Sequence, residues 1–176
     1  MGNGTPTITF ENMVTNYGFS DGTSMAAPMV SGAVGLMASR YPQDDAGMRV
    51  LRVLLGAKPL PSLQNRVRNG ARLNIGSLKI QAPLNLQGQK VENRSLFLTE
   101  YLNRLTWQAN PLNQNSEITG YRVYRLNGKR IELITELEST RLQYLHRNSE
   151  QGSYTYAVTA VGVDGANGEP AIVKIE

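Results

Sequence analysis

The stretch GTSMAAPMVSG, residues 22–32, places a serine at the start of an apolar helix that organises the first half of the chain. Between Ser24 and Arg40 no charged residue occurs, and small residues and methionines dominate. A helix that is apolar on every side is typical of a protein interior, so we predict a buried helix. Pro28 fits the first turn of a helix, where its missing N–H leaves no bond unmade. This predicts a helix start near Thr23–Met25.

A second helix is predicted to follow, with Asp44 or Asp45 as its N-terminal cap and Gly56 as its end. Its predicted apolar stripe is Val50, Leu51 and Leu54, and its predicted water-facing residues are Arg49 and Arg52. After a loop, the segment GARLNIGSLKI (70–80) is expected to return and dock on the same body.

From about Ala82 onward, apolar residues recur with a period of two, as in LTW (105–107), YRV (121–123), YTYAVTA (154–160) and AIVKI (171–175). Short alternating runs separated by Asn, Gly and Pro clusters indicate an all-β sandwich. The predicted fold class is therefore mixed. An incomplete α/β segment occupies residues 1–80 and an all-β sandwich occupies residues 81–176.

Composition excludes several functions. The chain has 176 residues, a net charge of +4 and no cysteine, which excludes disulfides and thiol chemistry. No apolar run approaches the roughly 20 residues of a membrane span, and the N-terminus lacks the pattern of a secretory signal. The basic residues are scattered without a nucleic-acid module pattern. We therefore expect no nucleic-acid partner and no membrane span.

Ser24 is the candidate nucleophile. A serine hydroxyl needs a base, a group that orients the base, and donors for the developing oxyanion. A helix N-terminus supplies such donors, and Gly22 permits a sharp entry into the helix. Because serine is also a favoured cap residue, the alternative is that Ser24 only caps a buried helix.

The stretch GTSMAAPMVSG resembles the serine motif of the subtilisin-like serine proteases, or subtilases. The matching residues are Gly22, Thr23, Ser24, Met25, Ala26, Ala27, Pro28, Val30 and Gly32. Ser31 and Met29 stand where the family more often carries alanine and histidine. The segment at 70–80 also looks like the family's terminal segment, with Gly70, Leu73 and Asn74 matching.

This resemblance implies that Ser24 is the nucleophile and that its own N–H is one oxyanion donor. In this family the aspartate and histidine of the triad precede the serine, and residues 1–23 contain no histidine. Asp21 adjoins the serine and does not match the triad aspartate, and Asn3, Asn12 and Asn16 do not match the oxyanion asparagine. The triad Asp and His are therefore expected to be missing from this chain. His146 is expected to be a half-exposed histidine at a strand end, not a substitute base.

The second half resembles a fibronectin type III domain in three stretches: LTWQANP (105–111), ITGYRVYRLNG (118–128) and GSYTYAVTAVGVDGANGEP (152–170). Leu105 and Trp107 are predicted to point into the sandwich. Tyr154 matches the tyrosine whose hydroxyl fixes a corner of such sandwiches.

Two functions follow as hypotheses. In the first, the chain is the C-terminal part of an extracellular or cell-surface serine endopeptidase and is inactive alone. Its partners are the polypeptide substrate and the missing N-terminal part of the catalytic domain. No cofactor or metal is expected here, and calcium is left open for the missing part. In the alternative, the chain is a non-catalytic adhesion or interaction module. An upstream reading frame that encodes aspartate and histidine motifs would favour the first.

Overall fold

The computed structural model describes residues 5–9, 16–20, 22–94, 96, 99–113, 118–127, 130–148 and 152–176. The chain divides into two compact units, Met1–Val50 and Leu51–Glu176. Two helices are described, α1 (Thr23–Arg40) and α2 (Ala46–Gly56), together with three short 3₁₀ helices at Pro61–Leu63, Arg68–Gly70 and Gly76–Lys79. The strands of the described residues are β1 (Thr5–Thr9), β2 (Asn16–Ser20), β3 (Lys58–Pro59), β4 (Ala71–Arg72), β5 (Leu84–Arg94), β6 (Thr99–Gln108), β7 (Ile118–Asn127), β8 (Arg130–Glu138), β9 (Gln143–Asn148), β10 (Tyr154–Gly162) and β11 (Asn167–Ile175).

In the first unit, β1 and β2 form an antiparallel hairpin, and α1 follows it in the chain. The predicted start of α1 is confirmed, since the helix begins at Thr23. The prediction of burial on all sides is wrong. Only Ala33 and Met37 are buried, whereas Met29 is 61% exposed. An apolar pattern shows that side chains prefer burial, but burial itself needs a second element packed against the helix.

The N-terminal cap of α2 is confirmed as Asp45, whose Oδ1 accepts a hydrogen bond from the backbone N–H of Met48 at 2.7 Å. A cap side chain satisfies one of the amides that the first helical turn leaves without a partner. The predicted end of the helix at Gly56 is confirmed as well.

The predicted apolar stripe of α2 is confirmed for Leu51, which packs against a buried cluster, and is wrong for Val50. The buried residues of the helix are Val53, Leu55 and Gly56, whereas Val50 is exposed. The prediction for the two arginines is wrong too, because both are half-buried. Arg49 donates to the carbonyl of Pro42 at 3.1 Å, and Arg52 donates to the carbonyl of Pro170 at 3.2 Å. The long aliphatic stem of an arginine packs well against apolar surface, so charge alone did not identify the exposed face.

The described residues of the second unit form three antiparallel sheets, namely the short β3-β4 ribbon and two larger sheets. One larger sheet has the strand order β11-β10-β7-β8 and the other the order β5-β6-β9. The alternation of side chains along each strand places one set between the sheets. This shared core consists of Leu105, Trp107, Tyr121, Val123, Tyr156, Val158, Ala160 and Ile175.

The predicted inward positions of Leu105 and Trp107 are confirmed, since both are buried in this core. The Trp107 and Tyr121 rings meet edge to face with their centroids 5.5 Å apart, a geometry that the ring quadrupoles favour. The corner role of Tyr154 stays a prediction. Strand β5 was not predicted, because most of its side chains are polar and exposed.

Taken together, the described residues form two helices and several antiparallel sheets, so the mixed α/β class is confirmed. The boundary predicted between residues 80 and 81 stays a prediction, because a family boundary need not coincide with the division between compact units.

Candidate active site

Ser24 is the second residue of α1 and is exposed to solvent. Gly22 precedes the helix as its N-cap, and no side chain caps the helix there. The carbonyl of Gly22 accepts hydrogen bonds from the N–H groups of Met25 at 3.1 Å and Ala26 at 3.3 Å. The alternative that Ser24 is the N-cap is therefore wrong, because Gly22 holds that position and Ser24 lies within the helix.

The setting of Ser24 suits negative charge. The N–H groups at the start of a helix have no partner within the helix, and the aligned peptide dipoles place partial positive charge there. The Ser24 N–H is one of these groups. A substrate oxygen that approaches the exposed hydroxyl would therefore meet a hydrogen-bond donor already in place.

Gly22 keeps the approach to the hydroxyl open. A Cβ added at position 22 would lie 3.6 Å from Ser24 Oγ, in van der Waals contact with it. Any longer side chain at this position would compete with a substrate for the space beside the nucleophile. An alanine would therefore fit at this position, since the contact is an ordinary one and the extended backbone at Gly22 is open to any residue.

The predicted place of Pro28 needs correction. Pro28 lies inside α1, beyond the first turn, and not at its start. Because proline has no N–H, it cannot donate to the carbonyl four residues earlier, which belongs to Ser24. The Ser24 carbonyl therefore lacks its usual helical hydrogen bond from residue 28. The loss of this bond destabilises the helix, whereas a proline in the first turn would have cost no bond.

In the segment at residues 70–80, the side chain of Asn74 makes two hydrogen bonds. Asn74 Nδ2 donates to the carbonyl of Gly56 at 3.3 Å, and its Oδ1 accepts from the Gly76 N–H at 3.0 Å. Gly70 has φ +56°, a left-handed conformation that glycine adopts at little cost. The predicted docking of this segment is thus supported by a direct bond to the end of α2.

His146 lies on β9 of the second unit, half-buried as predicted for a strand histidine. Its Nδ1 is 2.8 Å from the Tyr156 hydroxyl, and that hydroxyl also accepts a hydrogen bond from Asn103 Nδ2 at 2.8 Å. Burial lowers the pKa of His146, Arg125 lowers it further, and Glu132 opposes this shift. These contacts give His146 a structural partner of its own.

The sequence did not predict the Asn103–Tyr156–His146 network. Tyr156 and Asn103 are both buried, and Asn103 Oδ1 has no partner within the described residues. The sequence feature that could have indicated this network is Asn103, a polar residue at an inward position of β6 between apolar ones.

Some of the predicted residues lie outside the described part of the chain, namely Asp21, Asn3 and Asn12. Among the described residues, no group of three or more His, Cys, Asp or Glu is arranged to hold a metal ion. Neither described helix combines the length and apolar character needed to cross a membrane.

An exposed serine in the first turn of a helix, whose own N–H has no acceptor within the helix, has a setting compatible with nucleophilic catalysis. Residues 2–88 match the model of the Subtilase family, Peptidase_S8. The match includes both the serine motif and the Asn74 segment, and it supports a subtilase-related segment of the serine protease class in the first half of the chain.

No curated protein sequence matches this chain. Among solved structures, the glycoside hydrolase domain of Endo-D from Streptococcus pneumoniae R6 is 20% identical with a TM-score of 0.42, and the match covers 56% of this chain and 15% of that one. The spore cortex lytic enzyme SleM of Clostridium perfringens is 13% identical with a TM-score of 0.43, covering 62% and 35%. A myokine is 15% identical with a TM-score of 0.38, covering 53% and 95%.

The chain thus spans about a seventh of the Endo-D domain and about a third of SleM. TM-scores below 0.5 mean that these likenesses identify neither the fold nor the activity of this chain.

Proposed function

We propose that residues 2–88 form the nucleophile-bearing segment of a subtilisin-like serine endopeptidase, and that Ser24 is its nucleophile. The observation that carries this proposal is the position of Ser24, exposed in the first turn of α1 within a segment that matches the Subtilase family. The substrate class is polypeptide, and the enzyme acts outside the cell or on its surface.

In the proposed reaction, Ser24 Oγ attacks the carbonyl carbon of a peptide bond and loses its proton to a base. The carbonyl oxygen becomes an oxyanion, to which the Ser24 N–H donates. The carbon–nitrogen bond then breaks, the amine leaves with the proton from the base, and an acyl-enzyme remains on Ser24. Water, deprotonated by the same base, releases the acid and restores the hydroxyl.

The base and its orienting carboxylate are proposed to come from polypeptide outside residues 1–176. The surface of α1 supports this proposal, because Met29, Val30 and Leu36 are large apolar side chains that are exposed on one helix. Contiguous exposed apolar residues mark surfaces that another element covers. The chain alone is therefore expected to be inactive.

The second half is proposed to be a fibronectin type III-like module. Its support is the packing of a three-stranded sheet against a four-stranded one around Trp107, together with the Tyr-x-Tyr-x-Val run at the start of β10. Sandwiches of this architecture recur without sequence similarity.

The test is a peptidase assay of this chain combined with the polypeptide encoded immediately upstream of it. The combination is expected to cleave an unstructured protein, Ser24→Ala to abolish cleavage, and Ser31→Ala to retain it. Ser31 is the matched control, since it is an exposed serine on the same helix. Cleavage that survives in Ser24→Ala would overturn the role of Ser24. An upstream polypeptide without aspartate and histidine motifs would overturn the protease proposal.

A further inference from the structure

The four-stranded sheet of the second unit carries an apolar cluster on each of its two faces. One face belongs to the core shared with the three-stranded sheet. The opposite face carries Tyr124 and Leu126 of β7, Ala157 of β10 and Ile172 of β11. Antiparallel sheets commonly leave one face polar and in water, so an apolar cluster on the second face indicates a surface that is made to be covered.

The cover comes from the C-terminal half of α2. Leu55 is only 1% exposed, and it forms a buried cluster with Tyr124 and Ala157. Leu51 packs against the same cluster from the preceding turn of the helix. Full burial of a leucine side chain removes a large apolar area from water and stabilises the fold, so this helix end is packed firmly on the sheet.

A buried asparagine joins the helix to the sheet by hydrogen bonds. Asn167 Nδ2 donates to the Leu55 carbonyl at 2.7 Å and to the Tyr124 hydroxyl at 2.8 Å. Its Oδ1 accepts from Arg122 Nη1 at 2.9 Å. The last four carbonyls of a helix have no partner within the helix, so Asn167 supplies one of them with a donor from the sheet. All polar atoms of this amide have partners.

The connection between the helix and β5 is also bonded to the sheets. The Ile80 carbonyl accepts from the Glu169 N–H at 2.9 Å. Gln81 exchanges two hydrogen bonds with the Asn113 side chain, at 2.8 and 2.9 Å. A flexible linker would leave these backbone groups to water, so the connection is not a free tether.

We propose that the apolar cluster on the outer face of the four-stranded sheet is an intramolecular docking surface whose partner is the end of α2, residues 51–56, and that the connection at residues 57–82 belongs to the same folding unit. The helix end, the connection and the two sheets form one cooperative folding unit. The β-rich second half accordingly stabilises the end of α2 and does not fold as an independent spacer. The proposal does not depend on the role of Ser24.

The test is amide hydrogen exchange on the full chain, comparing the wild type with Leu55→Ala. If the unit is cooperative, the slowest amides of residues 51–56 and those of β10 accelerate by the same factor, at least tenfold, because both exchange through the same opening. Val50→Ala is the matched control, since Val50 is an exposed residue of the same helix, and it leaves both sets of rates unchanged.

Acceleration confined to residues 51–56, with β10 exchanging at the wild-type rate, would overturn the proposal. Leu55→Val, which removes a single methylene, gives the same comparison with a smaller factor if Leu55→Ala does not fold. Equal acceleration in the helix and in β10 supports the proposal in either variant, and unequal acceleration refutes it.

Discussion

Acidification is expected to destabilise the second unit through His146, the single histidine of the sequence. The Tyr156 hydroxyl lies 2.8 Å from His146 Nδ1 and accepts a hydrogen bond from Asn103. The contact fits a neutral imidazole with its proton on Nε2, whose Nδ1 accepts the hydroxyl proton of Tyr156. A second proton on Nδ1 would leave the tyrosine proton without an acceptor in the core, so protonation opposes folding.

The sign and size of this pH effect on the free energy of unfolding follow from the linkage between proton binding and folding. The folded-state pKa of His146 lies below its ordinary value, chiefly because of burial, so the unfolded chain binds the proton first as the pH falls. The free energy of unfolding therefore decreases below about pH 6.5 and levels off below the folded-state pKa. One proton changes this free energy by at most about 1.4 kcal/mol per pH unit. Solvent screening of a half-buried group keeps the expected slope below that limit.

The measurement is equilibrium urea unfolding at several pH values between about 5.5 and 7, the range in which histidine titrates. The wild type is expected to lose stability towards the acidic end, and His146→Gln to show a nearly flat profile. Wild-type stability that stays constant or rises on acidification would refute the reasoning, as would an unchanged slope in His146→Gln.

Two further substitutions test local features of the fold. Asp45→Ala removes the side chain that accepts from the Met48 N–H and is expected to lower stability by about 1 kcal/mol. Thermal unfolding measures this, and no change in midpoint would contradict it. Gly120→Ala would bring a Cβ into a clash with the Leu137 carbonyl oxygen, so a loss of about 1–3 kcal/mol is expected. Gly35→Ala, with no atom within 4 Å of the added Cβ, is the control, and an equal midpoint shift in both would count against the clash.

The sequence predicted the elements whose signals are local. Gly22 marked the start of α1, Asp45 the start of α2 and Gly56 its end. The period-two runs around Trp107 and Tyr156 both proved to be strands of the core. In each case the chemistry that fixes the element lies within a few residues of it, so the pattern was sufficient.

Features that depend on distant contacts were not predictable in this way. Leu55 is buried because the outer face of a sheet about 70 to 115 residues further on carries an apolar cluster, and no helical period contains that information. The partners of Asn167 likewise lie 112 and 43 residues away in the chain. Met29 is exposed although the pattern of α1 is apolar. A pattern reports that a residue prefers burial, but not which element covers it.

The candidate site was predictable as far as the nucleophile and no further. The motif around Ser24 predicted a serine at a helix start, and the structure places it in the first turn. Pro28 was placed one turn too early, because the sequence alone does not show that the helix tolerates a proline inside it.

The most direct test of the central claim is the site of a covalent adduct. A serine-directed phosphonate is reacted with this chain, alone and combined with the upstream polypeptide, and the adduct is located by peptide mass spectrometry. The account predicts a stoichiometric adduct on Ser24 in the combination and no labelling of the chain alone above that of Ser24→Ala. An adduct on another residue, or rapid labelling of Ser24 in the chain by itself, would contradict it.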